Sequence, residues 1–127
     1  PFTDVPANVG YTPALDWAAE AGWVDTTPTT FAPAGNLTRG DAVTWLWRAA
    51  GRLEPTADTR YTDDPDDTGD LDKAIDWATE HDLIGGFPNN TFRPATTITR
   101  GQFTRLMYRL AKAPAAWATT PPSTVLF

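Results

Sequence analysis

Residues 36–48 read NLTRGDAVTWLWR, and residues 97–109 read TITRGQFTRLMYR. Each stretch opens on Thr-Arg-Gly and continues with apolar residues at helical spacing. These are Val43, Leu46, Trp47 and Ala50 in one copy, and Phe103, Leu106, Met107 and Leu110 in the other. Thr38 with Asp41, and Thr99 with Gln102, stand three apart as helix-capping pairs, Asp41 having the shorter reach. The duplication continues upstream. LDWAAEAGWV at 15–24 is answered by IDWATEHDLI at 75–84, and Phe2-Thr-Asp-Val-Pro6 by Tyr61-Thr-Asp-Asp-Pro65. Equivalent positions lie 59 (Phe2 to Tyr61), 60 (Leu15 to Ile75) and 61 (Thr38 to Thr99) residues apart. Such a period marks one supersecondary unit used twice.

Each unit reads as helix, long loop, helix, so the expected class is all-α. The first helices carry Tyr11, Ala14, Leu15 and Ala18, answered by Leu71, Ala74, Ile75 and Ala78. Pro13 suits a first helical turn, and Gly22 and Gly51 suit helix ends. The loops hold Phe31-Ala-Pro33 and Phe92-Arg-Pro94, each a Phe beside a Pro that pins an extended stretch to the core. The expected organisation is repeat one at 1–53, a polar linker at 54–60, repeat two at 61–112, and a Pro/Ala/Thr-rich tail at 113–127 that reads as a tether or the start of a further segment.

Bulk properties exclude several function classes. The chain has 127 residues and a net charge of −6, with 16 acidic against 10 basic residues. That balance argues against nucleic acid, whose phosphates need a basic face. There is no cysteine, so disulfides and thiolate metal sites are excluded. No run approaches the roughly 18 apolar residues of a membrane span. The chain opens on Pro without a signal peptide, which reads as a mature form or a piece of a longer polypeptide. Six Trp residues give a small repeat much area to bury, and they also offer flat platforms for sugar rings.

Arg39 and Arg100 are anomalous. Each sits one residue past a cap, in a first helical turn whose partial positive charge prefers anions. One explanation is a shared anion held by the guanidinium and the free N–H groups. The other is an ion pair with an Asp of a neighbouring helix, such as Asp16 or Asp76. Both stand at this point.

These residues resemble the S-layer homology (SLH) repeat of bacterial surface proteins. The resemblance rests on Phe2-Thr-Asp-Val and Tyr61-Thr-Asp-Asp, the Trp-Ala pairs at 17–18 and 77–78, Gly86-Phe-Pro-Asn-Asn-Thr-Phe-Arg-Pro94, and the Thr-Arg pairs at 38–39 and 99–100. It implies helical units, commonly three, associated about an axis with binding grooves between neighbours. It also implies non-covalent attachment to cell-wall polysaccharide, often pyruvylated and hence anionic, at the outer bacterial surface. Carried over, Arg100 with Thr99, Gly101 and Gly86 would hold an acidic sugar group. Arg39 would do so in a weaker groove, because Thr26 stands where the second repeat has Gly86. Trp17 and Trp77 would flank the sugar or, as most Trp residues do, pack in the core. Thr-Arg-Gly-Asp and Thr-Arg-Gly-Gln replace the usual Thr-Arg-Ala-Glu, and two units are present instead of three.

Other constellations carry less. Counted from Asp64, the run Asp63–Asp72 puts oxygen ligands at calcium-loop positions 1, 3, 5 and 9, but Ile75 stands where a bidentate Glu is required. It reads as a solvated loop whose Asp70 and Asp72 favour the following helix start. His81 is the sole histidine, and nothing assembles a catalytic set. The Asn36-Leu-Thr38 and Asn89-Asn-Thr91 matches to the glycosylation acceptor pattern read as coincidence. The expectation is therefore a non-catalytic wall-anchoring module with no metal and no cofactor. The alternative is an assembly module that self-associates, completing a three-unit arrangement, or packs on a neighbouring domain.

Overall fold

A computed structural model describes residues 2–59, 61–65 and 69–112. The linker's Arg60, the middle of the acidic run and the Pro/Ala/Thr-rich tail fall outside that set. The described residues form four helices: α1 (Thr12–Glu20), α2 (Arg39–Ala49), α3 (Asp70–Glu80) and α4 (Arg100–Ala111). Strand-like pairing among them is confined to one isolated antiparallel bridge between Thr38 and Thr97. The fold is all-α.

The helix boundaries follow from local chemistry. Thr99 accepts from Gln102 N at 3.0 Å while Gln102 Oε1 accepts from Thr99 N at 3.1 Å, a complete capping box. Thr38 accepts from Asp41 N at 3.0 Å, but the shorter Asp41 side chain makes no return bond to the cap. Pro13 lies in the first turn of α1, and Asp70 and Asp72 lie in the first turn of α3. Helices α1 to α3 end alike, with a left-handed residue after the cap and crossed N–H bonds back into the last turn. Gly51 takes that conformation after α2, whereas Asp82 takes it at φ 54° after α3.

The chain divides into two compact units, Pro1–Asn36 and Leu37–Phe127. The boundary falls inside the first repeat as read from sequence, between its loop and its second helix. In the first unit Phe2, Leu15 and Val24 are buried and the Phe2 ring lies 5.4 Å from Phe31. Tyr11 and Ala14, expected on the apolar face of α1, are exposed; Thr12 is buried instead, its hydroxyl donating to Pro6 O at 2.8 Å. In the second unit α2 packs on α3. The core gathers Val43, Trp47, Ala74, Ile75, Trp77, Leu83, Phe92, Leu106 and Leu110. Trp77 is 1% exposed, so its expected place beside a sugar is corrected: helical register turns it into the core.

Each repeat also fastens its loop in the same way. Asp4 accepts from Phe31 N at 2.9 Å and Ala32 N at 2.7 Å; Asp63 accepts from Phe92 N and Arg93 N, both at 2.8 Å. Thr3 N donates to Thr29 O, and Thr62 N to Asn90 O. The second residue of each clamped pair, Ala32 or Arg93, is left-handed, at φ 57° and 59°. Two charge-assisted bonds to consecutive N–H groups hold a conformation that a non-glycine residue rarely adopts.

These clamps make stability acid-sensitive. Hydrogen bonds from Phe31 and Ala32 lower the pKa of Asp4 from its ordinary 3.8. Burial pushes Asp63 up, but the Phe92 and Arg93 bonds outweigh it and its pKa also falls. A depressed carboxylate contributes stability above its unfolded pKa and loses it as pH falls through the folded one. Asp63→Ala should therefore unfold more easily than the parent at about pH 7, by about 1 kcal/mol after solvent screening, and the gap should be narrower at about pH 3. Urea titrations at both pH values check this; a gap unchanged in acid rejects it.

A second test separates two glycines. A Cβ at Gly86 would collide with Tyr61 Cε1 and sit 2.7 Å from Thr91 O, whereas one at Gly101 meets nothing closer than Thr99 Oγ1 at 4.0 Å. Gly86→Ala should cost about 1–3 kcal/mol, and Gly101→Ala should be neutral or stabilising by up to about 1 kcal/mol, both read from thermal melts.

Candidate functional site

Arg39 is 2% exposed. Its Nε donates to Phe92 O at 2.9 Å and its Nη2 to Gly85 O at 2.7 Å. The guanidinium carbon lies 4.7 Å from the centroids of both Phe87 and Phe92. The Arg93 guanidinium covers Phe87 as well, at 4.0 Å. The backbone of the same turn is also committed, with Arg39 N donating to Thr96 O and Gly40 N to Pro94 O, each at 2.8 Å. Gly40 permits this approach, since a Cβ there would lie 3.0 Å from Pro94 O.

The anomaly of a cation at a helix start therefore has a third explanation. Carbonyl oxygens of the second repeat's loop satisfy Nε and Nη2 of the guanidinium and the first N–H groups of α2. Neither expected partner takes part. Asp76 instead accepts from Thr59 N at 3.1 Å and Thr59 Oγ1 at 2.7 Å. Burial lowers the pKa of Arg39, with the Tyr61 and Asp63 charges opposing the shift and Arg93 adding to it; an arginine nevertheless stays cationic.

Beside this turn lies a cleft of about 270 Å³. Its charged lining is Arg39, Arg105, Arg109 and Asp82, with Gly85 to Phe87 and Gln102 completing the polar and loop surface. Arg109 Nη1 donates to Asp82 O at 2.7 Å and lies 3.6 Å from the Asp82 carboxylate. Among the described residues Arg105 makes no hydrogen bond or ion pair and Arg39 Nη1 has no acceptor. The cleft thus combines three guanidiniums, one carboxylate and spare donors. It can receive an anionic group.

The expected site residues separate in space. Gly86 and Arg39 meet at this cleft; Thr99, Arg100 and Gly101, expected to act with Gly86, are not among its lining residues. The reason is topological: the second repeat's loop receives the helix start of α2, not that of α4. Gly86 itself is required by the packing of Tyr61 and Thr91 against it. Arg100 is exposed, and neither its side chain nor the N–H groups of Arg100 and Gly101 find a partner among the described residues. Trp17, in the first unit, is 50% exposed and stands edge-on to Trp23 with centroids 4.7 Å apart. Sequence reasoning missed Arg105 and Arg109. Their signal was present, since Gln102, Arg105 and Arg109 form a polar i, i+3, i+7 stripe along α4.

Comparison with known proteins agrees with these repeats. The S-layer homology domain matches residues 1–43 and again residues 60–104. A cellulosome-anchoring protein of Acetivibrio thermocellus is 33% identical over 82 residues, which is 62% of this chain and 18% of that protein. The chain thus spans less than a fifth of that curated relative. No solved structure matches the chain significantly. With two matches that together cover more than half of its length, the chain belongs to the S-layer homology domain family.

Proposed function

We propose that this chain is a non-catalytic module that attaches a bacterial surface protein to the cell wall by binding an anionic wall polysaccharide. Family membership and the anchoring role named for the Acetivibrio thermocellus relative support attachment at the cell surface. No helix among the described residues is long and apolar enough to cross a membrane. The observation that carries the choice of an anion is the cleft beside Gly85–Phe87, which three guanidiniums line against one carboxylate and where the exposed Arg105 has no partner among the described residues. A carboxylate such as that of a pyruvyl ketal takes two parallel N–H bonds from a guanidinium, a geometry that a neutral sugar hydroxyl cannot match. Trp17, with half its surface open, offers a separate flat contact for a sugar ring.

Arg105→Ala should leave helicity intact and lower pull-down by purified cell walls about tenfold or more, the worth of one charge-assisted hydrogen bond. Walls stripped of acidic substituents should retain neither protein. Equal retention of parent and variant on intact walls rejects the cleft as the site.

A second reading, self-association, is favoured by a separate observation. Arg100–Gly101 repeats the Arg39–Gly40 pair, yet among the described residues no loop receives it, and Gly101 has space where Gly40 meets Pro94. A second copy could supply that loop. Sedimentation should then show a concentration-dependent dimer that Arg100→Ala removes; a parent chain that stays monomeric at about 1 mM rejects this reading.

A further inference from the structure

Part of the acidic run joins a cluster that the calcium-loop count did not foresee. Asp58 of the linker, Asp64 after the Tyr61 turn, and Asp72 and Asp76 of α3 each bring a carboxylate oxygen to within 4.8 Å of the other three. Asp72 and Asp76 are only 7% and 5% exposed. Asp76 is partly satisfied by Thr59, as described above. Asp72 is not: its Oδ1 is sealed from solvent without a hydrogen-bond partner, and no cation among the described residues pairs with it. A buried carboxylate oxygen left bare among other carboxylates is among the costliest arrangements in a protein interior. The N-terminal dipole of α3 offsets only part of that cost.

We propose that Asp58, Asp64, Asp72 and Asp76 form a binding site for a hard divalent cation, with calcium the best fit. Calcium takes six to eight oxygens at about 2.3–2.6 Å, so ligands on opposite sides of one ion stand about 5 Å apart. Four oxygens within 4.8 Å of one another can therefore all reach a single calcium with no backbone rearrangement. Water fills the remaining positions. Magnesium binds at about 2.0–2.1 Å in a stricter octahedron and keeps most of its water, which suits a dry, crowded set of carboxylates less well.

The consequence is structural. The ion clips the linker and the Tyr61 turn onto α3, one residue from the Asp63 clamp that holds Phe92 and Arg93. Calcium then stiffens the loop that receives Arg39. Without it, the same four charges repel and loosen the linker. This inference does not depend on the glycan reading.

The test is thermal melting and titration calorimetry on the 127-residue chain stripped with EDTA. Saturating calcium should raise the melting temperature by roughly 5–10 °C and give single-site heat. Asp58 is exposed and its replacement leaves the core intact, so Asp58→Asn should weaken calcium binding about tenfold or more. Asp72→Asn should abolish the calcium response while melting in EDTA at or above the parent's temperature, because it removes a repelled charge. If Asp72→Asn fails to fold, the Asp58→Asn titration decides alone. No heat and no shift at millimolar calcium overturns the site. So does a shift that sodium chloride reproduces at equal ionic strength, or one that both variants retain. An equal response to magnesium overturns the choice of calcium.

Discussion

The second unit depends on one buried cation. Arg39 places a full positive charge where α2 already carries its positive end, in a position almost closed to water. Such a charge is tolerable only when its donors are satisfied and its faces covered. The loop from Gly85 to Thr96 meets both needs, with carbonyl oxygens for Nε, Nη2 and the first two N–H groups of α2, and two phenyl rings for the guanidinium faces. The loop is shaped in return. Phe87 and Phe92 both pack on the guanidinium, and Arg39 and Phe87 line the cleft.

A loop of this length could not serve as a socket without being fixed elsewhere. The Asp63 carboxylate fixes it by gripping the two N–H groups at Phe92 and Arg93, and Tyr61 packs on Phe92 at 5.6 Å. Asp4 and Phe2 do the same for the first repeat's loop, with Phe31 and Ala32 in the matching places. The duplication is thus a repeated set of bonds as well as a repeated string. The opening Phe-Thr-Asp and Tyr-Thr-Asp triplets earn their place as loop clamps: an aromatic to cover, a Thr to pair backbone, an Asp to seize two amides.

What was legible from sequence was what local chemistry decides. Helix starts at Thr38 and Thr99, the first-turn acids of α3, the Gly51 stop and the apolar stripes of α2, α3 and α4 all depend on neighbours within a few residues. The class followed from them, whereas the family rested on the resemblance carried by the Thr-Asp, Trp-Ala, Gly86–Pro94 and Thr-Arg motifs. What was illegible depended on which distant segments meet. Arg39 and Gly86 were both singled out but assigned to different grooves, because nothing local says that α2 enters a loop some fifty residues away. Trp17 and Trp77 occupy equivalent positions in matching motifs, yet one is half open and the other closed. That difference arises from packing, to which the motif is blind. The α4 stripe of Gln102, Arg105 and Arg109 was readable, but the apolar face of the same helix drew the attention.

The charge of the cleft is not inherited from the chain, which is acidic, nor from its nearest helix end. Asp82 and Gly85 follow the C-terminus of α3, where the helix contributes about half a negative charge. An anion approaching there is opposed by that end and by Asp82. Three guanidiniums against one carboxylate leave about two positive charges to overcome half a negative one, so the arginines set the sign. They are not equivalent. Arg39 and Arg109 spend donors on the carbonyls of Gly85 and Asp82, neutralising the helix end and bracing the loop. Arg105 has no such duty among the described residues. Of the three it is the one whose charge and hydrogen bonds have no other claim there, and it is the one that the proposed anion would meet.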